Sequence, residues 1–334
     1  MTDWVKIPKV ELHLHLEGAI PPHALWQLIN KYDEVLSKTL SQDSLNSKFQ
    51  FTSFNHFLDL WVWKNSFIRR PEDFSFIAQA VAQELVKQNI VYAEMFFSPS
   101  DFASTGIELG IIAEAIRCGI NRVEGIKINL IADLVRGNPA SSMDRTIDEL
   151  LELRDVGIVG IGLGGAEQEH PPGQYKEVYN KARANNLFTT VHAGEAAGPE
   201  SIWEALVELR PHRIGHGVRA IEDHRLINHL AMKQIPLEVC PYSNLRTDIY
   251  PLYQNHPVRR LFDAGIPISI STDDPAMFQT SLSNEYEGLN KYHNFSDFEI
   301  KQLLLDSIQQ SFASELDKDE LTQFLINNPN WNSD

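Results

Sequence analysis

The 334-residue chain carries 29 Lys and Arg against 45 Asp and Glu, a formal net charge of −16, and 43% of it is hydrophobic. That apolar fraction supports a large core and excludes a disordered chain. The negative balance argues against nucleic acid and anionic membranes as partners, because both favour basic surfaces. In chain order, residues 1–8 hold no apolar leader core. No run of about 18 apolar residues follows, so a cytoplasmic protein is expected. Eight short apolar segments then read as strands: Val10–Leu16, Ile90–Phe97, Ile126–Val135, Gly157–Leu163, Leu187–His192, Arg213–Val218, Ile235–Cys240 and Ile266–Thr272. Several carry apolar residues on both alternating faces, as strands buried on both faces do.

Helical patterns separate them: Ile107–Arg117, Asp144–Leu153, Gln174–Asn185, Glu200–Leu209, Arg225–Lys233 and Val258–Ala264. From the second strand to the eighth, starts at 90 to 266 make six steps of about 29 residues, the length of one strand–helix–strand unit. Eight such units predict an α/β fold, a (β/α)8 barrel in one domain over residues 1–334, with an open doubly wound sheet as the alternative. Between strands one and two a long insertion, about residues 19–89, is rich in aromatics. Phe54, Phe57 and Trp61 recur there at helical spacing. It reads either as an extra helical layer or as a lid over the barrel mouth. The tail reads as helices Asp297–Gln310 and Ser314–Asn327.

The strands end in residues that an apolar core would not choose. His13 and His15 share one face of strand one, because side chains alternate along a strand. Such a pair suits one metal ion, or else is a hydrogen-bonded histidine pair. His192 and Asp273 lie at two further strand ends, and in a barrel all C-terminal strand ends converge on one mouth. Three imidazoles and a carboxylate make a plausible zinc set that leaves a position for water, whose pKa the ion lowers toward neutrality. Glu195 follows His192 by three residues and is placed to shuttle a proton, and His216 to orient or deprotonate the water.

Gly160–Gly165 fits G-x-G-x-x-G, but no helix opens directly after it. It therefore reads as close backbone approach to a ligand rather than a dinucleotide loop. The two cysteines, Cys118 and Cys240, exclude a disulfide framework and Cys-rich zinc modules. Strand four offers no lysine to bridge two metals, which favours a single ion. Glu94 and Asp133 read as structural or supporting ionisable groups. His23, His56, His170, His224, His229, His256 and His293 read as surface or capping residues, and His212 lies at the wrong end of the barrel.

In combination, the motifs HLHLEG (from His13), HAGE (from His192), RIGHG (from Arg213), CPYSN (from Cys240) and STDDP (from Ser271) resemble the adenosine deaminase family of the amidohydrolase superfamily. The resemblance runs from Lys9 to Tyr286. It implies a (β/α)8 barrel with one catalytic Zn2+ per chain, held by His13, His15, His192 and Asp273. It implies that Glu195 protonates purine N1 during attack at C6, that His216 and Asp273 position and deprotonate the nucleophile, and that ammonia leaves. It further implies substrate contacts from His15, Glu17, Gly162 (to N3), Asp274 (to N7) and the gate residues Phe57, Leu58 and Trp61.

Glu17 stands where adenosine deaminases carry an Asp against the ribose 5′-hydroxyl; related adenine deaminases often carry Glu. The strand-four loop Gly164-Gly165-Ala166-Glu167 and the glycine of RIGHG depart from the adenine deaminase pattern. Deaminases of 6-aminodeoxyfutalosine share the GLGG-x-E, CP-x-SN and DDP-x-MF patterns. The expected substrate is a small-molecule 6-aminopurine nucleoside, adenosine first, with adenine or 6-aminodeoxyfutalosine as alternatives. A metal-dependent phosphoesterase and a non-catalytic purine-binding protein are the competing classes. Nothing in the sequence sets the oligomeric state.

Overall fold

The computed structural model describes residues 2–51 and 54–331, without the side chains of 42, 43, 54 and 55; the Phe54 side chain in the expected aromatic stripe thus lies outside the described residues. Eight strands form the barrel wall: β1 (Lys9–His15), β2 (Ile90–Phe97), β3 (Lys127–Val135), β4 (Ile158–Gly164), β5 (Phe188–Ala193), β6 (Arg213–His216), β7 (Leu237–Val239) and β8 (Ile268–Ile270). They pair in sequential order, all parallel, with registers such as Leu130↔Ile158, Val191↔Ile214 and Leu237↔Ile268. The ring closes through a single bridge, Leu14↔Asp273. There the His15 N–H donates to the Asp273 carbonyl (2.9 Å) and the Asp273 N–H to the His13 carbonyl (3.0 Å). Side chains complete this seam: Ser271 Oγ accepts from the His13 N–H (3.1 Å), and Glu11 accepts from the Thr272 N–H (2.8 Å). The open doubly wound alternative is therefore discarded.

The strands are shorter than expected where the backbone turns. β6 was expected to reach Val218 but stops at His216, because His216 (φ 58°) and Gly217 (φ 66°) both take left-handed backbone. The helices sit close to their sequence patterns, at Leu109–Ile120, Ala140–Glu152, Lys176–Ala184, His224–Lys233, Val258–Asp263 and Asp297–Gln310. Helix Pro199–Glu204 continues as a π-helical turn, Ala205–Leu209. Pro in the first turn of Pro22–Tyr32 and Pro71–Lys87, and Ser caps before Leu282–His293, Asp297–Gln310 and Glu315–Ile326, fix where these helices start.

The barrel floor is closed by Arg213, 1% exposed. It donates to Glu94 and Glu238 (2.5 Å each) and to the Gln310 carbonyl (2.9 Å), while its guanidinium lies 3.6 Å from the Phe312 ring centroid. Glu94 is thus structural. The insertion folds into five helices, the fourth of which, Phe54–Asn65, lies at the mouth. No helix among the described residues is long and apolar enough to cross a membrane.

Candidate active site

The C-terminal strand ends bring the motif residues together. His13 Nε2 lies 3.1 Å from His192 Nε2 and 3.5 Å from Asp273 Oδ1; His15 Nε2 lies 3.3 Å from both of the same atoms. Four donors about 2.0–2.1 Å from a tetrahedral ion stand about 3.3 Å apart, so this spacing fits one small divalent cation. His216 also comes within 4.8 Å of His13, His192 and Asp273, nearer the cluster than the sequence suggested. The local electrostatics agree with a cation. Burial opposes charge on His13, yet hydrogen bonds to Asp273 and Glu238 carry its pKa up to about 10. A site that draws a proton onto a buried imidazole favours positive charge at that point.

Glu238, which the sequence reading missed, orients this set from below. Its Oε2 accepts from His13 Nδ1 (2.6 Å), leaving Nε2 as the ligand nitrogen, and its Oε1 accepts from Arg213. On the other side Ser243 Oγ donates to Asp273 Oδ2 (2.7 Å). Gly215 is needed for this packing, because a Cβ there would meet His13 Cε1 at 3.0 Å. Asp273 (φ 65°) and His216 (φ 58°) both hold left-handed backbone, a local cost of about 1–2 kcal/mol each that the surrounding barrel offsets.

Glu195 is buried on a turn, with Oε2 3.6 Å from His216 Nε2. Burial, then the charges of Asp273 and Glu167, push its carboxyl well above the usual range and favour its protonated form. The turn itself is held by Glu167, whose carboxylate accepts the N–H groups of Gly194 (2.5 Å), Glu195 (3.2 Å), Ala196 (2.8 Å) and Ala197 (2.9 Å), and the Ser201 hydroxyl (2.6 Å). Glu167→Ala strips the acceptor from five donors and lets Glu195 drift. We expect metal content to be unchanged while kcat falls by about a hundredfold, the scale of a 1 Å misplacement; metal analysis beside steady-state kinetics checks it.

His216 is neutral: burial holds it down to about 4. A hydrogen-bond chain sets its tautomer. The Val258 N–H donates to His256 Nδ1 (3.2 Å), so the His256 proton is on Nε2, which donates to Asn244 Oδ1 (3.1 Å). The Asn244 amide then donates to His216 Nδ1 (3.3 Å), which places the His216 proton on Nε2, toward Glu195 and Asp273. His256 (4% exposed) and His293 (6%) are buried rather than on the surface; His256 takes the expected alternative of a capping residue, at the start of helix Val258–Asp263, and His293 bonds the Tyr253 carbonyl (3.0 Å). Cys240 is free and fully buried, a small apolar filler.

A cavity of about 310 Å³ opens above this cluster, lined by His15, His192, Glu195, His216, Asp273 and Asp274, and by Phe57, Leu58 and Trp61 from the mouth helix. The helix Phe54–Asn65 of the insertion thus contributes to the cavity wall. Trp61 Nε1 donates to Asp101 (2.7 Å), Lys64 Nζ to the Glu17 carbonyl (2.6 Å), and Phe57 stacks on Phe278 at 5.4 Å. Asp274 presents Oδ1 without a partner among the described residues, and burial keeps its carboxyl well above the usual range.

Two expected contacts differ. Gly162 does not line the cavity, because Phe96 and Asp133 lie over it; the cavity glycines are Gly164 and Gly165. Glu17 does not line it either, being wholly buried with Oε1 accepting from the Ser98 N–H (3.0 Å). Asp133, read from the sequence as a structural or supporting acid, lines a further wall with Ser98, Asp101, Val135 and Arg136, which no sequence motif pointed to.

A closed (β/α)8 barrel with a buried His/His/His/Asp cluster beneath a cavity-lining helix is the architecture of a metal-dependent amidohydrolase. The chain matches the adenosine deaminase family over residues 8–328 and belongs to that family. It is 33% identical over 317 residues to an adenine deaminase of Ectopseudomonas mendocina, covering 94% of this chain and 100% of that one. It is 34% identical over 311 residues to the aminodeoxyfutalosine deaminase of Streptomyces coelicolor (92% and 80% covered). The solved structure of an adenine deaminase from Arthrobacter aurescens superposes with a TM-score of 0.87 at 30% identity, covering 95% of this chain and 99% of that one. The chain is a hydrolase that deaminates an aminopurine.

Proposed function

We propose that the chain is a zinc-dependent deaminase of a 6-aminopurine nucleoside, converting adenosine to inosine and ammonia. The carrying observation is the convergence of Glu195, His216 and Asp274 on one cavity directly above the His13, His15, His192 and Asp273 donors. An ion held by those four residues supplies, when bound, Lewis acidity that lowers the pKa of water toward neutrality. Glu195, kept protonated, donates to ring N1 and makes C6 electrophilic. His216, with its proton on Nε2, holds the attacking oxygen, and Asp273, through Oδ2, takes up its proton. Protonated Asp274 donates to N7 from its unpartnered carboxyl. The C6–O bond forms; the proton held by Asp273 passes to the exocyclic amine, whose bond to C6 breaks as ammonia leaves; and the C6 hydroxyl proton returns to Glu195 as the carbonyl forms. Phe57, Leu58 and Trp61 exclude water from above.

The nucleoside reading is supported by the polar lining residues Ser98, Asp101 and Asp133, which offer partners for a sugar, and by the RIGHG and GLGG segments. Adenine is the second reading, favoured by Glu17 being turned away from the cavity and by the adenine deaminase relative. We further propose one continuous catalytic domain located in the cytoplasm. Ammonia release from zinc-loaded protein offered adenosine, adenine and 6-aminodeoxyfutalosine in parallel tests the assignment. Adenosine is expected to react fastest, and chelation to abolish the activity; adenine reacting faster moves the substrate to the free base. Silence on all three overturns the reading.

A further inference from the structure

Asp133, near the end of β3, is 4% exposed, and its Oδ1 is buried without a hydrogen-bond partner. Its carboxyl lies across β4: a Cβ on Gly162 would come 2.6 Å from Oδ1, and one on Gly164 2.7 Å from Oδ2. Two glycines of the G-x-G run thus make room for a buried acid on the cavity wall. A small apolar residue would fill that place without leaving a polar atom unsatisfied, so the fold does not explain the acid. Its surroundings are acidic as well. Asp101 lines the same wall, and Glu17, behind Ser98, has Oε2 unpartnered. The guanidinium on this wall, Arg136, gives Nη1 to the His170 carbonyl (2.5 Å) and Nη2 to the His192 carbonyl (2.6 Å), leaving only Nε.

With C6, N1 and N7 turned to the metal end, the purine edge facing this wall is N3–N9. Resting on the deaminase reading, we propose that Asp133 is a specificity-determining residue. Its unpartnered oxygen takes a hydrogen-bond donor on the N9 side of the substrate, an N–H of the base or a hydroxyl of a sugar. The same acidic wall turns purines with a phosphorylated N9 substituent away.

The test is binding of four reaction products to the metal-loaded protein by calorimetry, which needs no turnover. Hypoxanthine offers N9–H, inosine offers hydroxyls, 9-methylhypoxanthine offers neither, and IMP adds a phosphate. The wild-type protein is expected to bind hypoxanthine or inosine at least about tenfold more tightly than 9-methylhypoxanthine, the scale of leaving one buried polar group unsatisfied, with IMP weakest. The tighter of the first two identifies the donor. In Asp133→Ala the gap to 9-methylhypoxanthine closes. In Asp133→Asn, which keeps the shape, part of the gap remains while discrimination against IMP narrows. Unchanged metal content and melting temperature show that the variants are folded. Equal binding of 9-methylhypoxanthine by the wild-type protein, a gap that survives in Asp133→Ala, or tightest binding of IMP overturns the proposal. Ammonia release is scored separately. The binding order without turnover removes the reaction reading and leaves Asp133 assigned; turnover with unchanged KM in Asp133→Ala removes only Asp133.

Discussion

Glu195→Gln is expected to retain its metal and lose at least about a hundredfold in kcat, the usual scale for removing general acid catalysis. Glutamine keeps the shape of the side chain and can still face N1, but it carries no acidic proton. The effect is therefore expected in kcat more than in KM. The wild-type group is suited to the task because burial and two neighbouring carboxylates favour its protonated form. Glutamine exchanges a buried neutral acid for a neutral amide of the same shape, so the variant should melt close to the wild-type protein. Normal turnover by a metal-replete Glu195→Gln would refute the role; loss of metal would mean that Glu195 holds the ion instead.

The second large effect is expected at Glu238. Burial opposes its ionisation, but Arg213 and His13 hold its carboxyl down to about 2. Glu238→Ala leaves Arg213 buried with Glu94 as its one carboxylate partner and frees His13 Nδ1. The cost of breaking a buried pair is about 3–5 kcal/mol, read by denaturant unfolding. Loss of a group that orients a ligand histidine weakens metal affinity by about 10–100-fold, read by competition with a chelator. The linkage with pH follows in sign: the folded carboxyl ionises more readily than a free one at 4.5, so its contribution is complete above that value and fades as pH falls toward about 2. A variant matching the wild-type protein in both measurements would show that the floor network is dispensable.

The barrel was legible because its strands are buried on both faces and recur at one spacing, and the metal-end residues because each stands at a strand end. His13-x-His15 could be placed on one face from alternation alone. The far wall was hidden for physical reasons. Whether Gly162 or Gly165 meets a ligand depends on which side of β4 is covered, and that is decided by Asp133 on another strand. Glu17 was given a substrate contact from the family resemblance alone, yet the chain turns it toward the Ser98 amide. His256 read as a surface or capping histidine, and nothing local shows that Asn244, twelve residues earlier, also connects it to His216. Glu238 could have been suspected: it is a lone acid between apolar neighbours in Leu237–Val239, a pattern that puts a charge inside the barrel.

The seam between β1 and β8 is the narrowest join in the ring, a single bridge whose residues adjoin His13, His15 and Asp273. An ion bound by these residues therefore ties the first strand to the end of the last and, through His192, to β5 across the barrel. It acts as a clasp on a hoop. Because the unfolded chain lacks this arrangement, metal occupancy becomes folding free energy, about 4 kcal/mol when free metal exceeds its dissociation constant a thousandfold. The melting temperature of the protein should then rise with the logarithm of free metal, and chelation should loosen the strand termini at the mouth before the floor around Arg213.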